Sequence, residues 1–330
     1  MRESPGFAVV GARHAHALSL IDALQAAGAR ARIVFEESDA HAQAACAAAR
    51  APRARCVAEA LDCTGADFVL CGGIPSMRAA AAEQAMRAGR DVLCVKPGCL
   101  SLDELTALKC AHEQTGRMFV VWFSERLASR STLAAIEFAQ RGVIGQLMHV
   151  TGFGPHRLSP PEREPWFFDT LKAGGIIADL GAHQIDQFLT LCGSLDAQIM
   201  HAAVRESGNG LQVHGEAALR AGRTTGFFRV DWLIPQRFPS WGDPRLFIVG
   251  ERGFIEVRKI LDFGASGDGE IVIIADQTRV RRIDARGHEL PFISSFLKDV
   301  RERTQRAAPQ PHVFKVCELA ILAQNAAVRL

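Results

Sequence analysis

Phe7-Ala8-Val9-Val10-Gly11-Ala12-Arg13-His14-Ala15-His16 opens the part of the chain that decides the fold. The apolar run from Phe7 to Val10 reads as a short buried strand, and Gly11 ends it. Residues 16–27 then read as a helix, with Leu18, Ile21 and Leu24 as its buried ridge. Residues 31–35 form a second strand closed by the acidic pair Glu36-Glu37, and an alanine-rich helix follows over 40–49. Further strands are predicted at 55–57, 67–71, 91–95 and 118–122, with helices from Pro75 onward and over 102–115. Strands alternating with helices at this spacing imply parallel βαβ units under the right-handed crossover rule. Such a doubly wound sheet binds its ligand beyond the carboxyl ends of its strands.

The pattern changes after Trp122. A helix over 130–141 turns through Gly142-Val143-Ile144-Gly145 into a strand at 147–151. A proline-rich run through Pro165 follows, then Trp166-Phe167-Phe168; it reads equally as a substrate wall and as a plain surface connection. From residue 197 onward come seven strands with no helix between them, which implies a largely antiparallel sheet with one face open to another subunit. Helices over 290–305 and 312–329 close the chain. The expected class is therefore α/β: a doubly wound parallel domain over 1–122 and an α+β domain with a large, mostly antiparallel sheet over 123–330. The closing helices have the option of packing back on the first domain.

Charge and composition narrow the function. Lys+Arg 38 against Asp+Glu 36 leaves a net charge of +2, which argues against a dedicated nucleic-acid or anionic-membrane binder. The apolar run after Met1 is too short for a signal-peptide core, and no stretch approaches a membrane span, so a cytoplasmic protein is expected. Nine scattered cysteines without a Cys-x-x-Cys pair fit buried, reduced thiols. The chain has no Tyr, so a tyrosine proton donor is excluded.

Three places carry candidate chemistry. A dinucleotide loop has Gly-x-Gly-x-x-Gly, so that the backbone can approach a pyrophosphate at a helix N-terminus. Here only Gly11 stands in place, and Arg13, His14 or His16 are the possible phosphate donors or else turn residues. Glu37, at the end of the second strand, is placed to bond the adenosine ribose, and a carboxylate there favours NAD over NADP. Gly72, after the strand at 67–71, and Val95-Lys96-Pro97-Gly98, after the strand at 91–95, complete the cofactor side; the proline restricts Lys96 to an extended backbone. The third place is Gly174-Gly175-Ile176-Ile177-Ala178-Asp179-Leu180-Gly181-Ala182-His183-Gln184-Ile185-Asp186. A helix beginning near Asp179 as N-cap puts Asp179, His183 and Asp186 on one face and Ile185, Phe188, Leu189 and Cys192 on another. A solvated polar stripe with a surface histidine is the alternative.

With these residues placed, the chain resembles the Gfo/Idh/MocA family over essentially its whole length. Val95-Lys96-Pro97 is similar to the family's Glu-Lys-Pro, with Val95 in place of the glutamate that holds the lysine region. Gly174 to Asp186 matches its Gly-Gly…Asp-x-Gly-x-His-x-x-Asp in full, Gly142 to Gly145 its Gly-x-Ile-Gly, and Trp166-Phe167 its aromatic pair. The resemblance implies an NAD(P)-dependent oxidoreductase acting on a secondary alcohol of a sugar, polyol or related compound, assembled as a dimer or tetramer through the sheet. It implies catalytic roles for Lys96, Asp179 and His183. Arg126, His156, Arg157 and Trp166 are candidates for shaping the substrate pocket or else structural residues. A member that binds nucleotide without turnover, and a metal hydrolase built on Asp179, His183 and Asp186, are the competing functions; no metal is expected.

Overall fold

The computed structural model describes residues 4–159, 163–263, 267 and 269–330. Pro160 and Pro161 of the proline-rich run, and the first three residues, lie outside the described residues. The chain divides into two compact units. One comprises residues 1–122, 171–174 and 291–317; the other comprises 123–170, 175–290 and 318–330.

The first unit is built as strands β1 (Gly6–Val10), β2 (Arg30–Phe35), β3 (Phe68–Cys71), β4 (Asp91–Val95) and β5 (Phe119–Trp122). Helices α1 (Ala15–Ala26), α2 (Asp39–Ala49), α3 (Val57–Leu61), α4 (Pro75–Arg87) and α5 (Leu102–Thr115) connect them. All four strand pairs are parallel, in the order β2-β1-β3-β4-β5. Every residue of β1, β3, β4 and β5 is buried, as expected for strands covered on both faces. Phe7 stacks on Phe68, whose ring meets Phe296 edge-on, and Trp122 packs on Phe292. The chain crosses over between β1 and β3, which opens the crevice expected at a topological switch point.

Two expectations are corrected here. Residues 55–57 are not a strand, and the parallel sheet has five strands: Arg53 makes an isolated bridge to Val34, and Ala58-Glu59-Ala60-Leu61 coil into α3. Good helix formers outweigh a weak apolar pattern there. The buried ridge of α1 is Ala17, Leu20, Ile21 and Leu24, while Leu18 is only half-buried.

The second unit opens with α6 (Ser124–Leu127), α7 (Arg130–Gln140), β6 (Leu147–Pro155), a short 3-10 turn (Pro165–Phe168) and α8 (Thr170–Ala173). A π-helical turn (Ile177–Gly181) runs straight into α9 (Ala182–Cys192). Then come β7 (Ala197–Glu206), β8 (Gln212–Ala221), β9 (Thr224–Asp231), β10 (Arg245–Gly250), β11 (Gly253–Arg258), β12 (Ile271–Asp276) and β13 (Val280–Asp284). Helix α10 (Phe292–Glu302) belongs to the first unit, α11 (Gln310–Ala326) contributes to both, and β14 (Val328–Arg329) ends the sheet of the second. That sheet runs β13-β12-β11-β10-β6-β9-β8-β7-β14, antiparallel except for β6 with β9 and β7 with β14.

Alternation along its strands separates two faces. Val150, Ile248, Ile255, Val257, Ile274 and Val230 point into the core. Glycines on that face let a helix come close: a Cβ at Gly152 would lie 2.1 Å from Gln184 Oε1 of α9. The other face carries Phe153, Phe247, Phe227 and Phe254 half-buried or exposed.

The nine cysteines are all free. They are less uniformly buried than expected: Cys71, Cys94, Cys99 and Cys317 are buried, whereas Cys56 and Cys110 are exposed. Among the described residues no helix is long and apolar enough to cross a membrane, and no group of three His, Cys, Asp or Glu is arranged to hold a metal ion.

Candidate active site

The cofactor side is built wholly within the first unit. Gly11 ends β1 with φ +79°, a backbone that glycine adopts without strain, and its N–H donates to Phe35 O at 2.8 Å. A Cβ here would sit 2.5 Å from the Gly73 backbone, and one on Gly72 would sit 2.5 Å from Ala17 Cβ. Gly11 therefore packs directly against the Gly72-Gly73 backbone, while Arg13 and His16 stand at the other two positions of the glycine pattern. His14 is the N-cap of α1, and its ring nitrogen accepts from the His16 N–H at 3.2 Å.

A pocket opens beside this loop, lined by Gly11, Arg13, Glu36, Glu37, Met77 and Arg78 among others. The buried carboxylate in it is Glu36, which accepts from Ala12 N at 2.7 Å and Ser38 N at 2.9 Å; Arg13 approaches it at 3.9 Å. Glu37, the residue singled out from sequence, is exposed and lies on the lining. Because strand β2 stops at Phe35, the first acid after it turns inward and the second turns out. The positive-φ Gly11 cradle, a helix N-terminus and a carboxylate at the end of β2 together fit the adenosine half of a dinucleotide.

Lys96 is buried at 5 % exposure just past β4, and its peptide bond to Pro97 is cis. The residue that sequence reading missed here is Arg78 of α4, only 1 % exposed. Its Nε donates to Gly73 O at 2.8 Å, and its Nη1 donates to Lys96 O at 2.6 Å and Pro97 O at 3.1 Å. Nothing in the sequence of α4 marks Arg78 rather than Arg87 as the buried arginine.

Asp179 and His183 lie in the second unit. Asp179 is not an N-cap: the helix already begins at Ile177, and the Asp179 N–H donates to Gly175 O at 3.0 Å inside the π turn. π turns inserted in α-helices recur at functional sites. Nor is the polar face of α9 solvated: His183 is 2 % exposed, Asp186 and Gln187 0 %, and Gln184 4 %. The His183 ring lies edge-on to Phe123 at 6.3 Å.

Internal bonds account for the neighbours of His183. Arg126 grips Asp186 through two parallel bonds of 2.6 and 2.7 Å, so it is a structural anchor of α9 rather than a free substrate ligand. Glu125 accepts from Gln184 at 2.8 Å and from Lys259 at 3.1 Å. Lys259 donates also to Gln187 at 2.7 Å, and Gln187 donates back to His183 O at 2.8 Å. Glu125 and Lys259, 134 residues apart, are a pairing that sequence alone does not signal.

The remaining candidates form an aromatic group. His156 packs on Trp232 at 5.4 Å and Trp241 at 4.7 Å, with its Nδ1 3.0 Å from Gly154 O. Arg163 lies over Phe167 and Trp232 at 4.5 and 5.0 Å. Trp166 touches Phe167, and its buried indole N–H finds no acceptor among the described residues. Arg157 is structural, donating to the carbonyls of Phe238 and Ser240 and so holding the segment that bears Trp241. Trp232 and Trp241 escaped the sequence reading because only tertiary pairing brings them to His156, and Arg163 because its place over Trp232 depends on the same pairing.

Residues 6–123 match the model of the oxidoreductase family with an NAD-binding Rossmann fold, and residues 132–256 match the GFO/IDH/MocA C-terminal domain. An oxidoreductase of Erwinia carotovora atroseptica is 35% identical over 99% of both chains, with a TM-score of 0.95. A 3-ketoreductase of Actinomadura kijaniata, solved with NADP and TDP-benzene, shares 16% identity over 99% of each chain at a TM-score of 0.80. Levoglucosan dehydrogenase, solved with NADH and levoglucosan, shares 17% over 98% of this chain and 95% of its own at 0.81. At those identities the last two speak for the fold. No curated protein matches the chain. The chain belongs to the GFO/IDH/MocA family of NAD(P)-binding oxidoreductases.

Proposed function

We propose that the protein is an NAD-dependent dehydrogenase acting on a secondary alcohol, or in reverse the ketone, of a sugar, polyol or related small molecule. The observation that carries the reading is His183: a buried imidazole on a helix whose adjoining polar side chains are already bonded internally. Oxidising an alcohol needs a base for the hydroxyl proton, and imidazole titrates near neutral pH. His183 takes that role and Asp179 binds a neighbouring hydroxyl or orients His183. Lys96 hydrogen-bonds the reacting oxygen and stabilises charge developing on it. A bound nicotinamide supplies or accepts the hydride.

Gly11, Arg13, His14, Gly72, Lys96 and Pro97 are the residues proposed to hold the dinucleotide. Glu36, with Glu37 at the rim, is proposed to favour NAD because its fixed carboxylate repels a 2′-phosphate. His156 and Trp166 serve as substrate wall, joined by Trp232 and Trp241, whose ring faces suit the C–H faces of a sugar. A homodimer or homotetramer formed through the uncovered sheet face completes the reading.

The test is absorbance at the NADH band with NAD and a panel that includes levoglucosan, inositols and simple hexoses. At least one compound is oxidised, NAD outperforms NADP, and His183→Ala lowers kcat by roughly a hundredfold or more. An unchanged rate in His183→Ala removes the assigned mechanism. NADH binding with no turnover across the panel replaces the enzyme by a non-catalytic nucleotide sensor.

A further inference from the structure

We infer that Arg78 is the positioning residue for Lys96, acting through the main-chain carbonyls of the Val95-Lys96-Pro97 segment; the inference rests on the dehydrogenase reading above. Position 95 is valine, fully buried and apolar, so no carboxylate at that position can anchor the Val-Lys-Pro segment electrostatically. Arg78 reaches it from α4 instead. Its guanidinium spans two loops at once: Gly73 O at 2.8 Å on one side, Lys96 O at 2.6 Å and Pro97 O at 3.1 Å on the other, with Val95 O at 3.4 Å.

Three features make this a positioning device rather than filling. The planar, forked guanidinium presents donors in fixed directions, which a lysine or glutamine cannot reproduce. The acceptors are the main-chain carbonyls on both sides of the Lys96 α-carbon, so they fix where its side chain starts. Finally, Gly73 lies against Gly11, whose Cβ position would be 2.5 Å from the Gly73 backbone. One side chain therefore ties the backbone bearing the reactive ammonium to the loop proposed to receive the dinucleotide, and it also lines the adenosine pocket.

The test uses Arg78→Gln and Arg78→Lys in the full chain. The protein has six lysines, so labelling with 15N-lysine gives six backbone amide resonances, and Lys96→Arg identifies that of Lys96. NADH affinity is read in parallel by energy transfer from the four tryptophans. In folded Arg78→Gln the Lys96 amide shifts and exchanges at least tenfold faster while the other five stay in place, and NADH binds several-fold more weakly. Arg78→Lys recovers part of both effects, because an ammonium can serve some of the carbonyls. Should Arg78→Gln not fold, Arg78→Lys alone decides: beside the seventh resonance of the added lysine, the Lys96 amide is displaced and the other five are unmoved. An undisturbed Lys96 amide in either folded variant overturns the inference. The amide signal needs no turnover, so it separates this failure from that of the dehydrogenase reading, which is lost instead if the wild-type protein fails to bind NADH.

Discussion

At the scale of single residues, burial decides which polar groups act and which hold. Sequence makes both Asp186, by helix spacing, and Arg126, as a candidate for shaping the substrate pocket, possible site residues. The 2.6 and 2.7 Å bidentate pair, with Asp186 wholly buried and Arg126 at 15 %, makes them mutual partners. Removing one partner of a buried pair leaves an uncompensated charge, which costs about 3 kcal/mol or more. Arg126→Ala is therefore expected to lower unfolding free energy by about that amount in urea titrations at pH 7, whereas Arg126→Ala with Asp186→Asn recovers a large part of the loss. Equal losses in the single and double variants would mean that the pair contributes nothing specific. What the sequence could not distinguish was Glu36 from Glu37. Both follow the second strand, and only the point where pairing stops, at Phe35, sets which of them turns toward Ala12 N. Spacing along a helix shows that side chains share a face; it does not show whether that face meets solvent, substrate or an arginine 60 residues away.

At the scale of elements, strongly periodic segments were legible and weak ones were not. Strands β4, β5 and β11 and helix α5 fall within a residue of their sequence boundaries, because apolar runs in β4 and β5, period-two alternation in β11, and a Ser101 cap with Gly116 after the last turn of α5 leave little choice. The π turn before α9 was not legible, since nothing in Ile177-Ala178-Asp179 distinguishes it from an α turn. Turns bear their own electrostatics. The link from β12 to β13 is closed by Asp276, whose carboxylate accepts from Thr278 Oγ1 at 2.5 Å, Thr278 N at 2.9 Å and Arg279 N at 3.1 Å. The Thr278 hydroxyl and these N–H groups hold the Asp276 pKa down at about 2, below its ordinary value. A folded-state pKa below the unfolded one stabilises the fold above the unfolded value, near pH 4, and the contribution is lost as pH falls toward about 2. A 13C-carboxyl titration should find Asp276 still ionised at about pH 3, and Thr278→Val should raise its midpoint toward the ordinary range. A wild-type midpoint near 4 would show that the turn does not grip the carboxylate.

At the scale of the whole molecule, the question is what meets the uncovered face of the large sheet. Across it run Val280, Ala275, Phe254, Val249 and His149 in one cross-strand row, and Phe247 and Thr151 in the next. Val280, Phe254 and Val249 are 73, 42 and 40 % exposed, and Phe153 and Phe247 add an edge-on ring pair at 6.1 Å. Exposed apolar side chains in such a row, bordered on the same face by the Arg245–Glu256–Arg258 ion pairs, mark an interaction surface. Association by adding strands is discouraged, because the outer strand β13 carries Arg281, Arg282 and Asp284 along its free edge. Face-to-face packing of two sheets, about 10 Å apart, avoids that edge and hides the phenylalanines. The face also leaves the inner side of the sheet, where α9 is held, untouched. We therefore expect the wild-type protein to sediment as a dimer or larger at micromolar concentration. Phe247→Glu combined with Phe254→Glu should shift it to the monomer with an unchanged far-UV spectrum and retained NADH binding. A wild-type protein that sediments as a monomer at tens of micromolar would leave the sheet face without a partner of its own kind.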